Sequence, residues 1–181
     1  MEHPLALFRY CPKCGSPRFA EHNSKSKQCQ DCGFTYYINP SAATVAFILR
    51  PSADPARGPE LLVVRRAKEP ARGTLDLPGG FSDLFETSEE GVRREVLEET
   101  GLQVTDTRFL FSLPNQYLYS GFLVHTMDMF YLCQVNHTDG VRAMDDAAET
   151  MWIALQDLRP EEFGLLSVRS GVEKFLANFP I

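Results

Sequence analysis

Apolar residues gather into short runs, and their spacing predicts the elements of the chain. TVAFILR (44–50) and ELLVVRR (60–66) read as strands, and the PSADPARGP between them reads as a loop. LQVTDTRFLFSL (102–113), VHTMDMFYLCQV (124–135) and the shorter MWIAL (151–155) predict further strands. Within the second of these, Cys133 and the alternating Met127 and Met129 read as core positions. LDLPGG (75–80) leads through a loop into a helix with clear ends. Thr87 and Glu90 form a capping box, and Gly101 stands where a left-handed residue closes a helix. Val92 and Val96 would pack that helix onto a sheet. A second helix is predicted from Ser167, read as its N-cap, to Asn178. Strands mixed with two helices predict an α/β or α+β layered domain.

Residues 1–38 break this pattern, being polar, turn-like and rich in paired cysteines, so they read as a separate small unit ahead of a main domain at 39–181. The 181 residues suit such a single domain with an appendage. A net charge of −6 argues against long, non-specific contact with nucleic acid. It says little about small anionic ligands, because a bound divalent cation inverts the local field. No apolar run approaches the roughly 20 residues that span a bilayer, so no membrane association is expected. The opening segment lacks the basic and apolar regions of a secretion signal, and a cytoplasmic address is the expectation.

The cysteines define a candidate metal centre. Cys11 and Cys14, then Cys29 and Cys32, give C-x2-C-x14-C-x2-C. Two tight knuckles of this kind can complete a tetrahedron of thiolates around Zn²⁺, and four protein ligands leave no open position, so the zinc is expected to be structural. A pair of redox C-x-x-C motifs is the weaker reading, and His22 between the knuckles is expected to be an exposed loop histidine. From Arg9 to Tyr37 the segment carries five Lys or Arg against two acids, with Phe19, Phe34, Tyr36 and Tyr37 interleaved. A Zn²⁺ with four thiolates offsets most of that charge, which favours a structural clip or dimer element over an RNA contact.

The first helix poses the sharper question. At 100° per residue, Glu95, Glu98 and Glu99 fall within an arc of roughly 100°, where like charges repel. Read with its flanks, the stretch becomes G-x5-E-x7-R-E-V-L-E-E-T-G-L, from Gly80 to Leu102. It resembles the signature of the Nudix hydrolases, with Gly80, Glu86, Arg94, Glu95, Glu98, Glu99 and Gly101 at the fixed positions and Val96 and Leu102 at the apolar ones. The resemblance implies an α/β/α sandwich around a mixed sheet and hydrolysis of a phosphoanhydride. Hard divalent cations such as Mg²⁺ or Mn²⁺ suit a cluster of carboxylates facing a diphosphate. By the resemblance, Glu95, Glu98 and Glu99 would bind that metal, with the Gly80 carbonyl as an additional ligand. Arg94 and Glu86 would pair to stiffen the loop and helix. Gly91, one turn before Glu95, leaves its face open for phosphates or for a tightly packed loop.

A zinc ribbon ahead of such a domain resembles the NADH pyrophosphatase subgroup, which implies NADH, NAD⁺ or ADP-ribose as substrate and AMP plus a phosphorylated remainder as products. It also implies a homodimer. The subgroup's second motif is matched in part by SLPNQYLYS (112–120), at Ser112, Pro114, Tyr117 and Ser120, and departs at Leu113, Asn115, Gln116 and Leu118. Tyr117, Asn115 and Ser112 are the substrate-binding candidates, and an aromatic here could stack on a base. A bland strand end and turn is the alternative. Arg65 and Arg66 close a strand and could reach phosphates. The resemblance also implies a further acid from outside the signature, as metal ligand or general base; Asp145, Asp146 and Glu149 precede a strand containing Trp152, and Asp146 or Glu149 is the candidate to activate water. The rival to an enzyme is a nucleotide- or RNA-binding module working through the ribbon, and removal of nucleotide caps from RNA is compatible with both.

Overall fold

The computed structural model describes residues 2–145 and 147–178, so Asp146 lies outside the described residues. Near the N-terminus, β1 (Phe19–Asn23), β2 (Ser26–Cys29) and β3 (Thr35–Tyr37) form a small antiparallel sheet in the order β1-β2-β3. This ribbon rests on the rest of the chain through Phe8, whose ring stacks on Tyr36 and meets Phe122 edge-on at 5.5 Å between centroids. Lys27 is buried beneath it and donates to the Phe8 carbonyl at 2.9 Å.

The main sheet is built around β4 (Ser41–Arg50). On one side β4 runs parallel to β9 (Phe122–Val135), which pairs antiparallel with β8 (Val104–Tyr119). On the other it meets β5 (Glu60–Arg66), which pairs antiparallel with the edge strand β10 (Ala147–Ala154). The resulting order, β10-β5-β4-β9-β8, is a mixed sheet. β4 and β5 pair only at Leu49↔Leu61 and Arg50↔Glu60. Beyond that point they diverge: β4 takes β7 (Gly79–Phe81) as a partner and β5 takes β6 (Leu75–Asp76). The sheet therefore opens into a wedge.

Side chains of a strand alternate between faces, and β4 uses both. Val45 and Phe47 face α2 (Leu166–Asn178), where Phe47 stacks on Phe175 with centroids 4.2 Å apart and Phe130, Val168 and Val172 complete the layer. Ala46 and Ile48 face α1 (Ser88–Thr100), whose Val92 and Val96 are fully buried. The product is an α/β/α sandwich, as expected. Cys133 is core, and burial pushes its thiol up to about 12, which makes it unreactive. Among the described residues, no helix is long and apolar enough to cross a membrane.

Three local expectations need correction. β8 does not stop at Leu113: it continues through SLPNQYLY to Tyr119 and returns through a two-residue turn, Ser120 and Gly121, both with positive φ. Pro114 is tolerated there because β8 is an edge strand with no outer ladder to break. Met127 is not core: alternation along β9 turns it outward, 47% exposed, while Thr126 and Asp128 point inward. Ser167 is not an N-cap. It lies buried in the first turn of α2 and gives its hydroxyl to Asp128.

One glycine fixes how β7 meets β4. A Cβ on Gly79 would stand 2.1 Å from the Thr44 carbonyl oxygen and 2.9 Å from the Val45 Cα. Backbone cannot yield as a flexible side chain can, so Gly79→Ala is expected to cost at least about 2 kcal/mol of stability, read as a lowered urea midpoint at unchanged m-value.

Candidate active site and metal centre

The four cysteines converge: their sulfurs all lie within 4.8 Å of one another. Cys11 and Cys32 are 3.7 Å apart and Cys14 and Cys29 3.6 Å apart. A tetrahedron with Zn–S bonds of about 2.3 Å has edges of about 3.8 Å, and these two sulfur pairs match that spacing. Each knuckle closes in the same way, Gly15 N–H on the Cys11 carbonyl and Gly33 N–H on the Cys29 carbonyl, with both glycines near φ 70°. Backbone N–H groups, that of Cys32 foremost, lower the Cys29 thiol to about 6, whereas Cys14, despite the Ser16 N–H, is pushed up to about 12 by the thiols crowded around it.

The second centre is built on α1. Its start is the expected capping box: Thr87 accepts from the Glu90 N–H, and Glu90 accepts from the Thr87 N–H at 2.7 Å. Its end is Gly101 in the left-handed conformation, bonded to the Leu97 carbonyl. One turn inside, Gly91 clears room for Glu86: a Cβ there would meet the Glu86 carboxylate at 3.0 Å. The tightly packed loop is thus the actual use of Gly91. Glu86 accepts twice from Arg94, at 2.8 and 3.2 Å, and once from the Asp83 N–H.

Arg94 is the hub of the site. Besides Glu86, it donates to the Phe81 carbonyl at 2.9 Å, to Glu95 at 2.8 Å and to Glu98 at 3.0 Å. Glu86, with Glu95 and Glu98 behind it, holds the guanidinium still more firmly protonated. Arg94 therefore serves the carboxylates of Glu86, Glu95 and Glu98, with that of Asp83 a further ion pair at 3.5 Å, and one cation among so many acids leaves an excess of negative charge. Glu99 is buried and accepts the Gly79 N–H at 3.1 Å. Glu95 is mostly buried against Gly80, where a Cβ would stand 2.6 Å from its carboxylate, and burial pushes its pKa up. Glu98 is about half exposed. Clustered carboxylate oxygens, two of the three side chains enclosed, are the kind of donor that a hard divalent cation takes.

The Arg94 hydrogen bonds hold the Glu86 carboxyl below the usual carboxylate range. A depressed folded-state pKa means stability that is present above the unfolded value, about 4.3, and lost as pH falls through the lower folded value. The gap in unfolding temperature between the wild type and Glu86→Gln is therefore expected to be constant above about pH 5.5 and to close below about pH 4, as calorimetry across an acid series would show.

At the wide end of the wedge lies a cavity of about 160 Å³, whose lining includes Gly79, Gly80 and Glu99. Of the sequence candidates, Asn115 and Tyr117 line it. Burial pushes the Tyr117 phenol up, and the nearby Asp128 adds to the rise. Ser112 does not reach the cavity: it lies exposed on the other face of β8. Arg65 also points away. It donates to the Gly73 carbonyl and to Glu149, its cross-strand neighbour on β10, in an exposed pair. Its neighbour Arg66 enters the cavity instead, with its guanidinium bound to Asp76 and to the Pro70 carbonyl. Sequence reasoning passed over Asp76 and Asp128, both buried in the cavity wall. The available signal was an acid set between apolar residues, L-D-L and M-D-M, at strand positions that face inward.

Comparison with known proteins agrees with this geometry. Residues 40–178 match the family profile of the NUDIX domain. The NAD-capped RNA hydrolase NudC of Vibrio cholerae is 25% identical over 176 residues, which cover 97% of this chain and 60% of that protein. NudC of Deinococcus radiodurans is 26% identical over 152 residues, 83% of this chain and 50% of its own length. The chain thus spans 60% or less of the length of these two curated relatives. Among solved structures, a NUDIX hydrolase from Nitrosomonas europaea superposes with a TM-score of 0.68 at 18% identity, covering 93% of this chain and 90% of that one. The NUDIX domain of Shewanella oneidensis NrtR, complexed with ADP ribose, gives 0.64 at 17% identity over 99% of each chain. At those identities the structural likeness is one of fold.

Proposed function

The chain belongs to the Nudix hydrolase family, and from that premise we propose that it hydrolyses a nucleoside diphosphate linked to a second group, with NADH, NAD⁺ and ADP-ribose as leading substrates. AMP and a phosphorylated remainder are the products. The observation that carries the reading is the carboxylate cradle on α1 sharing Gly79, Gly80 and Glu99 with the lining of the wedge cavity. A diphosphate over the cradle and a ring in the cavity occupy one continuous site.

Glu95, Glu98 and Glu99, with the Gly80 carbonyl, would hold Mg²⁺ or Mn²⁺. Such an ion neutralises the phosphate charge, polarises phosphoryl oxygens and lowers the pKa of bound water. The chain's own part is placement. Glu86 and the Phe81 carbonyl anchor Arg94 independently of its bonds to Glu95 and Glu98, so the arginine can release those two acids and stay in position. Gly80 lets the loop lie directly against Glu95. Glu98 is the most exposed of the three acids. We assign the four cysteines to a structural Zn²⁺ on sulfur spacing and because four protein ligands would fill a tetrahedral site.

A second reading, removal of a nucleotide cap from RNA, is supported by the activity named for the NudC relatives and by the interleaved cations and aromatics of the ribbon. One panel tests both: NADH, ADP-ribose, diadenosine polyphosphates, nucleoside triphosphates and an NAD-capped oligoribonucleotide, each with Mg²⁺ or Mn²⁺ and with products identified. Release of AMP from a dinucleotide is expected. If no compound with a phosphoanhydride is cleaved, the hydrolase reading fails.

A further inference from the structure

Resting on the reading of this site as a nucleotide site, we propose that the wedge cavity admits the amino-bearing ring of the substrate, an adenine amine or a nicotinamide carboxamide, and that Asp128 and Asn115 accept hydrogen bonds from its –NH2 group. The cavity's volume, about 160 Å³, is about ten times what a single water needs. Its inner wall is rich in acceptors. Asp128 is 4% exposed, and its two oxygens accept one hydroxyl each, from Thr126 and Ser167. A carboxylate offers about four acceptor positions, so both oxygens keep capacity to spare. Asn115 is 8% exposed and its Oδ1 has no hydrogen-bond partner within the protein; the fully buried Thr44 Oγ1 has none there either, and both residues line the cavity.

Buried polar atoms without partners are destabilising and rare in folded proteins. The Thr44 hydroxyl can donate or accept, but the Asn115 oxygen and the unused lone pairs of Asp128 can only accept, and together they mark a place where a guest supplies hydrogen-bond donors. The cation of this wall is already engaged, since Arg66 is bound to Asp76 and the Pro70 carbonyl. An anionic group would therefore meet acceptors and negative charge inside. Phosphates belong on the side of the lining formed by Gly79, Gly80 and Glu99, which is shared with the cradle. A neutral ring carrying N–H donors suits the interior, and the Tyr117 ring and the apolar Val64 and Leu165 offer surfaces for it.

Binding without added Mg²⁺ or Mn²⁺ separates this inference from the enzyme reading. Titration calorimetry compares NAD⁺ with its hypoxanthine analogue, in which an oxygen replaces the adenine amine, and with its nicotinic acid analogue, in which a carboxylate replaces the carboxamide. One analogue is expected to bind at least about tenfold more weakly than NAD⁺, and which one identifies the ring that enters. Asn115→Leu is expected to reduce that discrimination to less than about threefold. Asp128→Asn, which keeps the shape and adds a donor, serves as the second variant should the first fail to fold. Equal affinity for all three dinucleotides, no binding of any, or discrimination undiminished in the folded variants overturns the inference. Cleavage of the substrate panel would still stand in that case, and discrimination without any cleavage would leave the ring pocket standing and the hydrolase reading lost.

Discussion

Glu98→Gln is expected to lower turnover by about a thousandfold, about 4 kcal/mol of transition-state stabilisation, while the protein stays folded. The substitution keeps size and shape and removes one negative charge from a cradle whose charge excess is its affinity for a divalent cation. Glu98 is the variant to choose because it is about half exposed. Its loss strands no buried partner, and the Arg94 bond at 3.0 Å can be kept by the amide oxygen. Glu95 and Glu99 are more enclosed, so their amides would confound a metal effect with a packing one. Glu89→Gln is the control: it removes an acid from the first turn, off the arc shared by the three ligands, and should leave turnover within about twofold. Steady-state rates at saturating Mg²⁺, with circular dichroism for the fold, decide the matter. Activity of Glu98→Gln within tenfold of the wild type would sink the cradle assignment.

Cys29→Ser is expected to unfold the ribbon and spare the sandwich. The apolar support of the ribbon is slight: Cys11, Phe19 and Cys29 are its buried cluster, with Phe34 packed against them. Small domains of this kind commonly depend on metal, and a structural Zn²⁺ contributes on the order of 10–16 kcal/mol of binding free energy. A serine hydroxyl replaces a soft thiolate and leaves three sulfurs facing an ion that wants four. The sandwich has two apolar layers of its own. The measurements are zinc content and amide exchange: stoichiometric zinc should vanish, and amides of residues 16–37 should lose protection while those of β4 and β9 keep theirs. Chelation of the wild type should reproduce the pattern. Undiminished protection after complete removal of zinc would show that the four cysteines hold the ribbon by some other means.

Much of this could be read from the chain, and the failures share one cause. Local signals were enough for α1, whose two caps lie within its own few residues, and for the cysteine knuckles, whose geometry is set by two-residue gaps. The spacing from Gly80 to Leu102 announced the cradle because its partners all lie on one loop and one helix. Facing was what the sequence could not supply. A strand's phase is set by pairing with distant residues, and a slip of one residue reverses every side chain. Arg65 and Arg66 are adjacent and equivalent on paper, and the pairing of β5 with β10 and β6 decides that the second enters the cavity. β8 adds a register shift between Phe109 and Phe111, after which Asn115 and Tyr117 face inward and Ser112 outward. Ser167 was misread because its partner, Asp128, is 39 residues away in sequence.

Pro114 and the two register shifts of β8 have a meaning for how this molecule meets others. β8 is sixteen residues long and closes one side of the main sheet. An outer border of that length would be a template on which a stray strand could add. Pro114 deletes an amide from its middle, and the irregularities at Val104/Asp106 and Phe109/Phe111 bend the border away from a straight ladder. Continuous main-chain pairing along this border is thereby discouraged. A second molecule approaching here, a copy of the same chain included, would have to be gripped through side chains such as Leu118 and Tyr119, which stand exposed at the hairpin's end.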